Sequence, residues 1–407
     1  MRLFDLAWIV IIASLPVFRT LQAVVGDNLV VLIHSFIVVC VVFRCVRRPI
    51  FAPVWVIAAI LIPIAGLVAG TATSPVASLR TAIGITIMVG LFPFVARYLV
   101  VERRHALIAG VVGFVAVQTV SSVVGIVQAQ TGIELFGNIA RDGRANGLAG
   151  HPNVLALMAM IAVLVSLAAL AHVAGRFARS IILISIALNL FALLESGSLS
   201  ALLVLGVGMI VLLVRLPSLW KLILTVAIVG AVVVLLLAWS GMTVSAFVEE
   251  TQGRILAVTG EADGMGSWQI RQETWAIGWD RIQSSPLIGW GMDGTNQAVY
   301  GSIVVHNVIL RAWYQGGFIL FAVFALLTLT FLAAIFARRS GRFHPIAAAL
   351  IAAIWGFAMT SAFYNELHYW VPIILAVALI GPDQDSPHRG ALQAPHRGGL
   401  AAGRDQP

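Results

Sequence analysis

Twelve apolar runs of spanning length divide this chain, near 6–22, 28–43, 51–70, 79–99, 106–128, 152–173, 180–195, 198–214, 219–240, 306–336, 344–363 and 367–381. A run of about 20 apolar residues is satisfied only as a helix in lipid or against other such helices, because there alone every backbone polar group finds its partner within the segment. Composition points the same way: of 407 residues 60% are apolar and 10% charged, against roughly 45–50% and about 25% in a soluble domain. A soluble globular enzyme is excluded. The expected fold class is all-α, a polytopic membrane protein of about twelve transmembrane helices.

The charge pattern orients it. The net charge of +8 comes from 24 Arg and a single Lys, Lys221, and every second connection is basic: Arg44, Arg47 and Arg48; Arg97, Arg103 and Arg104; Arg176 and Arg179; Arg215 and Lys221; Arg338, Arg339 and Arg342. The positive-inside bias assigns these five connections and both termini to the cytoplasm, making this a multi-pass protein of the cytoplasmic (inner) membrane. Because the basic residues lie between runs instead of forming one patch, nucleic acid is not an expected partner. Cys40 and Cys45 stand five positions apart in one run and face different sides of a helix, so they cannot pair. No small-x-small cleavage pattern follows the first run, which therefore reads as an uncleaved span.

The alternate connections then lie outside. Three are long or polar: 129–151, 241–305 and the turn around Tyr364 to His368. A transmembrane domain over 1–381 carries the first two as external loops, and 382–407, rich in Pro, Gly and Arg, reads as a disordered cytoplasmic tail. In 241–305, Trp268, Trp275, Trp279 and Ile282 share one helical face, as expected of a helix lying on the membrane surface.

Ionisable groups at membrane depth are costly, so those at the outer ends of spans are the first candidates for chemistry. The tenth span opens His306-Asn307, and Asn307, Arg311 and Tyr314 share a face, with Arg311 one turn inside the membrane. A histidine at a helix N-terminus is held neutral by the helix dipole and can serve as a general base. A plainer reading has Arg311 snorkelling to lipid headgroups and His306 capping the helix, and both stand at this point. The 129–151 loop ends with Arg141, Arg144, Gly147, Gly150, Pro152 and Asn153, a tight turn whose free amides and two arginines suit an anionic group such as a phosphate. An ordinary helix cap with solvated arginines is the alternative. Arg271, four residues before Trp275, faces the same choice between a site and an interfacial pair with Glu273 or lipid phosphate.

Taken in order, these segments resemble a known pattern. An Arg-x-x-Gly-x-x-x-x-Pro-Asn element runs from Arg144 to Asn153, and a Ser-Gly-Ser turn follows at Ser196-Gly197-Ser198. A large loop then carries Arg271-x-x-x-Trp275 and Pro286-Leu-Ile-Gly-x-Gly291, and a span begins His306-Asn-x-x-Leu310. Over about 140 to 320 the chain resembles the O-antigen ligase and polymerase family of bacterial membrane glycosyltransferases. The resemblance implies a GT-C-like fold that moves a glycan from an undecaprenyl-diphosphate carrier to an acceptor hydroxyl, on a glycan or lipid-glycan, at the external face of the cytoplasmic membrane. It implies no cofactor and no metal, with His306 and Arg271 catalytic. Arg144, Arg141, Asn153, Asn307, Arg311 and Ser198 are the candidates for binding substrate. One departure stands out: the family often has Arg after Ser-Gly-Ser, where this chain has Leu199.

The chemistry is consistent with that implication, since a diphosphate is a competent leaving group that arginines can hold without Mg²⁺. The rival reading is a transporter or flippase of lipid-linked sugars, which would concentrate polar residues at the midplane and show broken helices in matching halves. A structural scaffold would leave the arginine loops unexplained. Ligase and polymerase share a donor. The near-total use of Arg over Lys points to a high-GC genome and tilts the reading towards polymerase.

Overall fold

The computed structural model describes residues 3–135, 137–138, 144–170, 172–215, 267–292, 298–300, 303–337, 343–361 and 365–380. The run 219–240, Arg141, Lys221, Arg338, Arg339, Arg342, Tyr364 and the tail 382–407 lie outside these residues, as does most of the external loop 241–305 before Ser267. Apart from one two-stranded ladder, the regular structure is helical: α1 (Leu3–Ser14), α2 (Phe18–Val25), α3 (Asn28–Val42), α4 (Ala52–Gly70), α5 (Pro75–Ile85), α6 (Phe92–Glu102), α7 (Arg104–Thr131), α8 (Pro152–Leu170), α9 (Arg176–Glu195), α10 (Leu199–Arg215), α11 (Ser267–Ser284), α12 (Val308–Phe336), α13 (His344–Ala358) and α14 (Leu367–Leu379). The ladder pairs β1 (Ala298–Tyr300) antiparallel with β2 (Ile303–Val304).

Seven helical stretches among the described residues are long and apolar enough to cross a membrane: Leu3–Val25, Ala52–Gly70, Pro75–Glu102, Arg104–Thr131, Pro152–Leu170, Arg176–Glu195 and Val308–Phe336. Four further apolar helices, α3, α10, α13 and α14, coincide with expected runs but are shorter. At about 1.5 Å per residue α14 extends only about 20 Å. It is nevertheless almost wholly buried, with α8 and α13, at the centre of the bundle.

Local sequence sets where the helices begin. Proline stands in the first turn of α4, α5, α8 and α13, where its missing N–H leaves nothing unsatisfied. Between lipid-embedded helices there is little hydrophobic drive, so packing and polar contacts must hold them. A ladder of this kind joins α7 to α9: Thr119 and Ser185 hydroxyls lie 2.7 Å apart, Ser122 donates to Asn189 Oδ1 at 3.0 Å, and Asn189 Nδ2 donates to Thr119 at 3.1 Å. Each such bond contributes on the order of 0.6 kcal/mol. Together they fix the height at which α9 ends in Ser196-Gly197-Ser198.

The connections segregate to two ends of the bundle. At one, Arg47 pairs with Glu102, Arg103 and His105 with Asp5, Arg97 donates to the Ala378 carbonyl, and Arg215 reaches His344 and the carbonyls closing α12. This is the basic end of the sequence pattern. At the other, long-range hydrogen bonds join Arg19 to Glu366, Thr20 to Leu148, Arg144 to Ser196, Arg271 to Ser200, Met292 to Ser78 and Asn307 to Met359. The described parts of the three connections singled out for chemistry gather there.

Candidate functional site

The site is assembled at the second end around three elements. The first is the Ser-Gly-Ser turn. The Arg144 guanidinium donates from Nε to the Ser196 carbonyl at 2.7 Å and from an Nη to Asn153 Oδ1 at 3.0 Å, while Ala145 N donates to the Glu195 carbonyl at 3.0 Å. Ser198 is buried, and its carbonyl accepts the first helical bond of α10 from Leu202 N at 3.1 Å. Arg144, Asn153 and Ser198 are thus brought together. Two of the Arg144 donor groups are spent on the protein itself, so the loop is a clamp as well as a charge.

The second element is α11. Arg271 reaches the start of α10, donating to Ser200 Oγ at 3.1 Å, and not to Glu273. Burial lowers its pKa from the usual guanidinium value. The Trp face expected to lie on the membrane surface is turned partly inward: Ile282 is buried with Val305 and Tyr314, Trp275 Nε1 donates to the His306 carbonyl at 3.3 Å, and Trp279 meets Trp313 edge to face. The Trp268 side chain lies outside the described residues. The inward turn follows from chemistry, because an indole N–H beside an unpaired backbone carbonyl is better satisfied there than in a headgroup layer.

The third element is the segment entering α12. The β1–β2 ladder delivers Val305 into the α11 cluster and leaves His306 as the next residue, so His306 is not the cap of the helix. Asn307 is: its Oδ1 accepts from Ile309 N and Leu310 N, both at 3.0 Å, and its Nδ2 donates to the Met359 carbonyl at 3.3 Å. His306 Nδ1 is buried with no hydrogen-bond partner among the described residues. Its pKa falls to about 4; burial is the main cause, the charge of Arg271 comes next, the Val304 backbone opposes the fall, and Arg311 adds to it. The helix-terminal reasoning expected a neutral imidazole. Burial and two arginines, more than a dipole, make it so.

Arg311 does not snorkel. It is 3% exposed and donates from Nε to Gln315 Oε1 at 3.1 Å, because the face it shares with Asn307 is turned into the bundle where Glu366 offers a counter-charge. Glu366 is held below its usual pKa: burial would raise it, but His368, Arg19 and Arg311 together outweigh that. Arg19 and Glu366 form a two-bonded ion pair, at 2.5 Å and 3.1 Å. The sequence reading names neither residue, although Glu366 lies in the turn around Tyr364 to His368. Arg19 carried a usable signal, a lone charge inside an otherwise apolar run.

The chemistry available at this end is therefore a neutral imidazole flanked by two guanidinium groups, beside a fixed carboxylate. Among the described residues, no three His, Cys, Asp or Glu side chains gather as a metal ion would require. No curated protein matches the chain. A family model described as O-antigen ligase matches residues 182–325, from within α9 to the middle of α12; the Arg144 to Asn153 element precedes that segment. That match takes in the Ser-Gly-Ser turn, Arg271, His306 and Arg311, and over those residues the chain is similar to the O-antigen ligase family.

Proposed function

We propose that the protein is a glycosyltransferase that moves a glycan from an undecaprenyl-diphosphate donor to an acceptor hydroxyl at the external face of the cytoplasmic membrane. The bundle is read as a GT-C-like domain over 1–381 with twelve spans and both termini in the cytoplasm. The observation that carries the reading is His306, buried and neutral, with the charges of Arg271 and Arg311 directed at it. In the proposed reaction the acceptor hydroxyl gives its proton to the His306 imidazole as its oxygen bonds to the anomeric carbon. The bond from that carbon to the diphosphate oxygen breaks, and the diphosphate leaves with the electron pair. Arg271 and Arg311 take up the charge that develops on it, the task otherwise given to a metal ion.

An imidazole with a pKa of about 4 is a weak base, and the donor changes that. A bound diphosphate offsets the two guanidinium charges, so the group that brings the leaving group also strengthens the base. Arg271 beside Ser200 supplies a cation at the helix start where the family often carries Arg and this chain has Leu199. Arg144, Asn153, Asn307 and Ser198 shape the donor pocket, and Arg141 belongs to the same loop.

Transfer in proteoliposomes tests the reading. Supplied with undecaprenyl-diphosphate oligosaccharide, the protein is expected to lengthen or transfer the glycan; movement across the membrane without new glycosidic bonds would mean a flippase. Glycan analysis of a deletion strain separates the two activities within the family: short repeats alone indicate a polymerase, long unattached chains a ligase.

A further inference from the structure

A second charged cluster stands beside the His306 site and plays no part in the reaction as written. Glu366, at the N-cap of α14, accepts from Arg19 Nε on Oε2 at 3.1 Å and from an Arg19 Nη on Oε1 at 2.5 Å, and His368 Nδ1 lies 3.3 Å from Oε2. The pair joins residues 347 positions apart in the chain. It borders the site on two sides. Thr20, next to Arg19, donates to the Leu148 carbonyl of the Arg144 loop at 2.6 Å, and Asn307, next to His306, donates to the Met359 carbonyl at the end of α13.

A tie between α2 and the start of α14 is the simplest use of such a pair, but it explains little of what is built. A partly exposed ion pair adds little to stability, and two apolar side chains would join the helices without the cost of desolvating charge. Moreover, the Glu366 side chain keeps 26% of its surface accessible. An ionised carboxylate accepts about four hydrogen bonds; among the described residues Oε1 takes one, from Arg19. Glu366 stands at the same end of the bundle as His306, and the charge of Arg311 acts on both.

A fixed anion on a partly accessible side chain discriminates between the two substrates. It repels a diphosphate and accepts a hydrogen bond from a saccharide hydroxyl. We propose that Glu366, held in place by Arg19 and His368, binds the acceptor saccharide through a hydroxyl neighbouring the one that reacts, on the side of the site away from Arg271. This inference rests on the glycosyltransferase reading for the identity of the acceptor, but its test does not depend on catalysis.

The probe is the oligosaccharide released by mild acid from the source cell's own undecaprenyl-diphosphate-linked repeat and labelled at its reducing end. Its binding to the purified full-length protein in nanodiscs is measured by fluorescence anisotropy, alongside donor and acceptor KM in proteoliposomes. Glu366→Gln should weaken binding and raise acceptor KM by about tenfold or more, the usual loss of a hydrogen bond to a charged group, with donor KM unchanged. Glu366→Asp, which keeps the charge one methylene back, should fall between the two and is read alone if the glutamine variant does not fold. Equal binding by wild type and Glu366→Gln overturns the proposal. So does wild-type binding by the reversed pair R19E/E366R, which would reduce the residues to a structural tie, and so does a wild-type protein that binds no oligosaccharide. Glu366-dependent binding without any transfer would uphold saccharide recognition and count against the proposed reaction instead.

Discussion

Gly289 and Gly317 meet backbone to backbone: a Cβ on Gly289 would stand 2.5 Å from the Gly317 nitrogen, and both residues have positive φ, 82° and 66°. Gly317 breaks α12, and the Pro286 to Gly291 loop fills the break. Trp290 N donates to the Tyr314 carbonyl at 2.8 Å, Gly291 N to the Gln315 carbonyl at 3.0 Å, and Phe318 N to the Leu287 carbonyl at 3.1 Å. The backbone groups released by the kink are thus satisfied by an inserted strand of chain, which welds α11 to the first half of α12 and holds Arg271, His306 and Arg311 in one frame. Break and loop satisfy each other locally, unlike the paired broken helices of a transporter midplane.

An alanine at position 317 must adopt a left-handed conformation, costing about 1–2 kcal/mol, and would also press into the Leu287 carbonyl. Gly317→Ala should lower the thermal midpoint by several degrees and abolish transfer, whereas Gly206→Ala, in α10 with nothing near its Cβ, should leave both unchanged. Thermal melts and transfer rates on the two purified proteins make the comparison.

The pH profile reports on His306. In the free protein the imidazole is neutral above about pH 4, so the acid limb of kcat/KM for the donor should fall near that value. The acid limb of kcat should lie higher, because a bound diphosphate offsets Arg271 and Arg311. Arg271→Gln removes a like charge and should move the kcat/KM limb up, towards the ordinary histidine value of 6.5. A limb unmoved by that substitution would separate Arg271 from the base.

Much of this end of the molecule is legible in the sequence because it is local. Apolar runs, basic connections and the order of the loop motifs each depend on residues close in the chain, and they locate Arg271 and His306 together. Periodicity also put Arg311 on the face of Asn307, but it could not say that this face meets Glu366 instead of lipid. The Arg19–Glu366 pair was invisible for the same reason, since no local pattern joins positions 347 residues apart. The Pro286 to Gly291 segment was legible only as a Pro-Leu-Ile-Gly-x-Gly motif; its role as the filling of the break at Gly317 depends on backbone groups of α12 that no local pattern connects to it.

The charge opposite the diphosphate can be apportioned by substitution. Arg144 and Arg311 are both candidates for the second cation; the Nε and one Nη of Arg144 are committed to Ser196 and Asn153, whereas the charge of Arg311 reaches His306. Arg311→Ala should therefore weaken donor use about as much as Arg271→Ala. Arg144→Ala should act chiefly through stability, and Leu199→Arg should partly rescue Arg271→Ala. Donor dependence of transfer in these variants decides it; a strong donor defect in a fully stable Arg144→Ala protein would restore Arg144 to the phosphate site.

Orientation is open to direct labelling. In a background with Cys40 and Cys45 replaced, a cysteine at exposed Ile133 should react with an impermeant thiol reagent in intact cells, and one at exposed Arg48 should react only after permeabilisation. The opposite pattern would turn the site towards the cytoplasm.

The proton transfer to His306 is tested most directly by turnover of His306→Ala in proteoliposomes supplied with undecaprenyl-diphosphate oligosaccharide. General-base catalysis contributes about 10²–10⁴-fold, so the variant should lose that much in rate while its donor binding and melting temperature stay at wild-type values, and EDTA should leave the wild-type rate unchanged. Wild-type turnover by a folded His306→Ala protein, or a wild-type rate that EDTA abolishes and Mg²⁺ restores, would contradict the proposed chemistry.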